Sequence, residues 1–232
     1  MRRSIQLLLI AFLFIFTLTC FAQQDYVSRW DAYVGYAFLN TPNMNLFQSP
    51  GVHTQFGYNW KTWVALGFDY TYTTGGSGIN PSMLNNATAA KLAPIIPHLP
   101  PGYFPTYVYA PYNATTYTVT GGPQLNYRKL KSVTLFVHPD VGYYHQSVNL
   151  HSNDPIMVQI INSLVPGSKT TDSGVFYGFG GGLDANFTKH VGIRTQADFV
   201  HTSLFSNLLK DGQNTIRFSI GPTFHFGKNI VK

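Results

Sequence analysis

From Trp30 onward, apolar and polar positions alternate with period two, the spacing that sends successive side chains to opposite faces of a strand. Eight such stretches follow one another. The first sets Trp30, Ala32, Val34, Tyr36 and Phe38 against Asp31, Tyr33, Gly35 and Ala37. The second sets Val52, Phe56, Tyr58 and Trp60 against His53, Gln55, Gly57 and Asn59. The third sets Val64, Leu66, Phe68, Tyr70 and Tyr72 against Trp63, Gly67, Asp69 and Thr71. The fourth has Tyr117, Val119, Leu125 and Tyr127 opposite Thr118, Thr120, Gln124 and Asn126. The fifth has Val133, Leu135, Val137, Val141 and Tyr143 opposite Thr134, His138, Asp140 and Gly142. The sixth has Val175, Tyr177, Phe179, Leu183, Ala185 and Phe187 opposite Gly178, Gly180, Gly182, Asp184 and Asn186. The seventh has Val191, Ile193, Ala197 and Phe199 opposite Gly192, Arg194, Gln196 and Asp198. The eighth has Ile216, Phe218, Ile220, Phe224 and Phe226 opposite Arg217, Ser219, Gly221, Thr223 and His225.

Several stretches reach the roughly 10 residues that a tilted strand needs to cross a bilayer, whereas soluble sandwich strands are nearer 5–6. Short connections near 60–62, 128–131 and 188–190 alternate with long ones at about 39–50, 73–115, 146–173 and 202–213. This asymmetry predicts an all-β fold: an eight-stranded antiparallel up-and-down transmembrane β-barrel with short periplasmic turns, long outer loops and both termini in the periplasm. Trp30, Trp60, Trp63, Tyr127, Phe187 and Phe226 fall at the periplasmic strand ends, where an aromatic girdle belongs. Tyr72, Tyr117, Tyr143 and Tyr177 fall toward the outer ends. Pro139 and Pro222 sit mid-strand and predict bulges, because proline cannot donate to the ladder. In the long connections, Pro81-Ser82 can open a short helix, and Asn153-Asp154-Pro155 predicts one near 154–164. Its apolar face calls for cover, with the second loop (apolar through 87–105) the preferred source over lipopolysaccharide or a partner.

Composition narrows the class. Arg2 and Arg3, an apolar run over 7–18 and Cys20-Phe21-Ala22 read as a signal peptide covering residues 1–22, leaving 23–232 as the barrel domain. Cleavage after Ala22 is preferred over lipidation at Cys20, because Thr19 is too large for a lipoprotein site. That cleavage removes the sole cysteine, so disulfides do not contribute. Charged residues are 10% of the chain and all nine acids are Asp. The absence of Glu argues against a helical domain, and the low charge with abundant Tyr and Phe suits a membrane barrel. The +6 balance is scattered rather than clustered, which sets nucleic acid aside.

An eight-stranded barrel has an interior only wide enough to be filled by side chains, so charges inside must be paired. A tight turn placing Phe187 opposite Val191 also places Asp184 opposite Arg194, and a symmetric fourth loop places Asp198 opposite Arg217. Asp69, His138, Asp140, Gln124 and Gln196 complete the expected lumen network. A structural plug is preferred over a gate or small porin-like pore. Gly180-Gly181-Gly182 then makes room for larger opposing residues.

The strand count, loop asymmetry and last strand resemble the OmpA-like small outer-membrane barrels of the outer membrane protein β-barrel domain family. The stretch Gln213-Asn214-Thr215-Ile216-Arg217-Phe218-Ser219-Ile220-Gly221-Pro222-Thr223-Phe224-His225-Phe226-Gly227 is similar to the acidobacterial-type ending of such proteins. The resemblance implies a non-enzymatic protein that stabilises the membrane and presents long outer loops. It implies contact with outer-membrane lipids, lipopolysaccharide and the barrel assembly machinery, a monomer, and no cofactor. Family members often end on the aromatic itself; here Gly227-Lys228-Asn229-Ile230-Val231-Lys232 follows Phe226, and no peptidoglycan-binding domain is expected. A rival reading rests on His201-Thr202-Ser203, which is similar to the His-x-Ser of barrel lipid A deacylases. The glutamate such enzymes use is replaced at best by Asp211, so the non-enzymatic reading is preferred. No metal-ligand spacing is present along the chain.

Overall fold

The computed structural model describes residues 24–101, 110–210 and 212–231. The expected signal segment 1–22, the loop stretch 102–105 and Asp211 lie outside them. Eight antiparallel strands close into a barrel: β1 (Trp30–Thr41), β2 (Leu46–Lys61), β3 (Val64–Ile79), β4 (Ala110–Tyr127), β5 (Val133–Leu150), β6 (Lys169–Asn186), β7 (Val191–Thr202) and β8 (Gln213–Phe226). Each strand pairs with its chain neighbours, and β1 with β8 closes the ring. Two helices lie in the long connections: α1 (Asn86–Leu92) and α2 (Pro155–Leu164). Asp154 caps α2 by accepting a hydrogen bond from the Ile156 N–H at 2.9 Å, with Pro155 in the first turn. Pro81 opens a short helix as expected, a three-residue 3-10 helix over Pro81–Met83.

The strands are longer than their alternation suggests. β4, β5 and β6 each run 18 residues. The first long loop, expected at 39–50, shrinks to residues 42–45 because β1 continues to Thr41 and β2 begins at Leu46. The remaining long connections contract to 80–109, 151–168 and 203–212. The extra strand residues have polar outward positions, such as Asn40, Asn113, Asn149, Lys169, Thr171 and Ser173, so an aliphatic outer face does not mark them.

Two further expectations are corrected. Register runs through both mid-strand prolines without a shift, with Pro139 opposite Phe179 and Pro222 opposite Ile193. On its other side each proline leaves a gap in the paired rungs, against β4 and against β1 respectively, and the same register resumes beyond it. A missing donor omits rungs without inserting a residue. The register shifts fall elsewhere, all with the extra residue on β2: where Gln48–Val52 faces Tyr36–Leu39 of β1, at Gln48–Gly51 against β3, and at Asn59–Lys61 against β3. Trp63, assigned by alternation to the inward set, lies in the turn before β3 and is exposed.

Candidate functional site

The interior is built in tiers. At the short-turn end, Asp31 accepts hydrogen bonds from Ser28 Oγ (2.6 Å) and Asn59 Nδ2 (2.5 Å), and its carboxylate lies 2.7 Å from His225 Nδ1. Arg128, from the β4–β5 turn, lies 3.8 Å away. The segment before β1 closes this end: Gln24 donates to Thr134 Oγ1 at 2.9 Å, and the Ile230 N–H donates to the Val27 carbonyl at 2.9 Å. The tail after Phe226 is thus packed back against the segment that precedes β1.

The next tier holds the two expected ion pairs. Asp184 and Arg194 are directly opposed on β6 and β7, and the guanidinium grips the carboxylate through Nε (2.6 Å) and Nη2 (2.8 Å). Arg194 also donates to Gln55 Oε1 and lies 4.6 Å over the Phe136 ring. Asp198 and Arg217 are opposed on β7 and β8, with Nε 2.7 Å from Oδ2. Arg217 Nη1 reaches across the lumen to Thr71 (2.9 Å) and Thr118 (3.2 Å). Gln196 Nε2 donates to Asp198 Oδ1 at 2.9 Å. His138 lies between Asp140 (3.2 Å) and Asp198 (3.4 Å), and Asp69 takes a hydrogen bond from Thr120 (3.0 Å) with His53 at 3.8 Å. Among the described residues, five buried carboxylates (Asp31, Asp69, Asp140, Asp184, Asp198) face three guanidiniums (Arg128, Arg194, Arg217). Asp69 and Asp140 are the two with an imidazole and no guanidinium as the basic group within salt-bridge distance.

Glycines on β6 make this packing possible. Gly180 pairs with both His138 and Asp198, and a Cβ there would sit 2.0 Å from Asp198 Oδ1 and 2.8 Å from His138 Cε1. Gly182 gives the same space to Phe136, whose Cζ would lie 2.8 Å away. Above the charges comes a neutral amide belt: Gln48, Gln146 and Gln213 bridge β2, β5 and β8 through Thr116 and Thr73. Thr41 and Thr215 meet at 2.9 Å beside it.

At the long-loop end the polarity inverts. Leu46, Tyr112, Val148, Leu150, Phe176 and Val200 point inward and pack against Leu84, Leu92, Met157, Ile160, Ile161, Leu204 and Leu209 from the loops and helices. The buried face of α2 is covered by the chain's own second and fourth loops, as expected. A cavity of about 50 Å³ remains inside this cap, lined by apolar residues such as Leu84, Leu150, Met157 and Ile161.

The remaining sequence candidates fall outside the lumen. Trp60, Trp63, Tyr127, Phe187 and Phe226 are exposed at the short-turn end, and Trp30 is half-buried there against Phe56 and Tyr58. His201 sits on the outward side of β7, with Nδ1 2.7 Å from Asn214 Oδ1 and its ring 5.3 Å from Tyr177. Ser203 lies beyond the strand end and is exposed. The hydrogen bond described for His201 goes to Asn214 on the next strand and not to Ser203. Asp31, His53, Gln55 and His225 belong to the network although alternation placed them only on its face. Arg128 carried no periodic signal, because it comes from a turn.

The residues around these tiers match known barrels. A family model described as outer membrane protein beta-barrel domain matches residues 8–226. No curated protein matches the sequence. Among solved structures, Neisserial surface protein A is 11% identical with a TM-score of 0.52, over 85% of this chain and 96% of that one. OprG of Pseudomonas aeruginosa is 9% identical with a TM-score of 0.52, over 89% of this chain and 100% of that one. These likenesses are of fold. The closed eight-stranded ring, its apolar outward face and the family match agree, and the chain belongs to the outer membrane protein beta-barrel domain family, which locates it in the outer membrane.

Proposed function

We propose that the protein is a non-enzymatic outer-membrane barrel that stabilises the membrane and presents its long loops as one rigid cap on the outer face. The observation that carries this reading is the filled interior: ion pairs, an amide belt and an apolar cap follow one another along the axis. The ion pairs join neighbouring strands, and their guanidiniums reach on across the lumen by hydrogen bonds, as Arg217 of β8 does to Thr71 of β3. The apolar core of the cap packs the described loop residues against the inner face of the strands. Outer-membrane lipids and lipopolysaccharide would contact Val137, Val141, Val175 and Phe179, which are fully outward and exposed. The aromatics at the short-turn end would form the periplasmic girdle, and the barrel would work as a monomer. Residues 1–22 would direct export and be removed, and Phe226 would be read by the assembly machinery.

The test is surface proteolysis of intact cells expressing the full chain, combined with growth of a deletion strain in bile salts or detergent. The reading expects cleavage from outside only at loop residues such as Lys91 or Lys210, slow because the cap is packed, and greater detergent sensitivity on deletion. Rapid cleavage at the short-turn residues Lys129 or Lys189 in intact cells would reverse the orientation and sink the proposal.

A further inference from the structure

We propose that His138, Asp140 and Asp198 form a binding site for a divalent transition-metal ion, zinc being the natural probe, inside the barrel. This rests on the lumen geometry and not on the non-enzymatic reading. One donor atom from each residue lies within 4.8 Å of the others, and all three side chains are buried. The set is assembled across strands: His138 and Asp140 are two apart on β5, and Asp198 comes from β7, reaching over the bare Gly180 of β6. That is why spacing along the chain shows no metal pattern.

Three observations point to an ion there. First, Asp140 Oδ2 has no hydrogen-bond partner although Asp140 is 1% exposed. A buried carboxylate oxygen left this way is costly unless something positive meets it. Second, the imidazole distances are long. A close imidazole–carboxylate hydrogen bond sits at about 2.7–2.9 Å, and His225 Nδ1 lies 2.7 Å from Asp31 Oδ1. His138 stands farther from both of its carboxylates: Nδ1 is 3.2 Å from Asp140 Oδ1 and Nε2 is 3.4 Å from Asp198 Oδ1, so one ring nitrogen would serve as the ligand and the other would face a carboxylate. Metal–ligand bonds of about 2.0–2.1 Å in a tetrahedral site separate neighbouring donor atoms by about 3.3 Å, close to the 3.4 Å between His138 Nε2 and Asp198 Oδ1. Third, Asp69 and Asp140 have no guanidinium within salt-bridge distance, and a cation held at His138 would offset part of that buried charge.

The surroundings suit such a site. Asp198 gives Oδ2 to Arg217 and turns Oδ1 toward His138, so the guanidinium orients the carboxylate as an outer partner does at metal centres. A cavity of about 10 Å³ adjoins His138 and Asp140, lined also by Asp69, Thr120, Gln55 and Gln124. Its size matches a single water, the usual fourth ligand of an open zinc site. Asp69 Oδ1, also without a partner, lines the same space and would accept from that water. The donors, one imidazole and two carboxylates, fit zinc or a neighbouring first-row ion.

The test uses the full chain refolded in detergent micelles with zinc, freed of excess metal, and assayed by elemental analysis. One equivalent is expected in the wild type, falling at least tenfold in folded Asp140→Asn and His138→Ala, with folding judged by heat-dependent gel mobility. No retained zinc in the wild type would overturn the proposal. So would folded variants that keep the full amount, since exposed histidines such as His145 or His201 would then be the binders. Should the variants fail to fold, cobalt(II) in the wild type decides: the intense visible bands of a four-coordinate ion support the site, and a solvent-like spectrum refutes it.

Discussion

The two ends of this barrel solve the same filling problem with opposite chemistry. In the membrane-crossing half, lipid requires an apolar outside, so the polar half of each alternating strand turns inward and must be satisfied by pairing. Asp184–Arg194 and Asp198–Arg217 do this, with glycines giving space. At the long-loop end the outward positions are polar, and the inward ones are Tyr112, Val148, Phe176 and their neighbours. There the hydrophobic effect acts as in a soluble protein, and the loops supply the second layer of a core. The charged half is therefore specific but intolerant of a missing partner, while the cap is tolerant in detail and sensitive to lost volume.

That contrast predicts a ranking of mutational effects. The largest comes from Arg217→Met, which strands the buried Asp198 carboxylate and should cost about 3–5 kcal/mol. Asp198→Leu added to it should restore most of that loss, because removing both charges can be close to neutral. Urea unfolding in micelles, followed by tryptophan fluorescence, measures both. Ile161→Ala in the cap should cost about 2–5 kcal/mol through lost burial and a cavity. Its signature differs: the loops should become protease-sensitive while the barrel keeps its heat-dependent gel mobility. Equal loosening of both ends by either substitution would break the distinction between them. On the lipid face, Val137→Arg should cost about 2–4 kcal/mol if it lies near the midplane, and the effect should shrink in Asn113→Arg, which projects outward at the polar level. Loss of the α2 cap in Asp154→Ala should be smallest, about 1 kcal/mol, and confined to loop proteolysis.

Legibility followed the same division. Where lipid imposes one kind of residue on the outside, alternation marks all eight strands, the inward residues apart from Trp63, and both ion pairs, down to Asp184 opposite Arg194. Above the lipid, β4 to β6 continue with polar outward positions such as Asn113, Asn149 and Thr171, and the strands read as loops. Connection 42–45 was overestimated for that reason. Pro139 and Pro222 misled because a missing donor was equated with an inserted residue, whereas the register passes through unshifted. The Asp31 cluster was partly hidden, since Arg128 and Ser28 come from segments outside the strands. The three-residue set at His138 was invisible along the chain, because strand pairing alone brings Asp198 to it.

The central claim is that the interior is filled from one end to the other. Planar-bilayer recording of the refolded wild-type chain tests it most directly. The account predicts no conductance above that of the bare bilayer over a wide voltage range. Reproducible single-channel steps from the folded, monodisperse protein would contradict it.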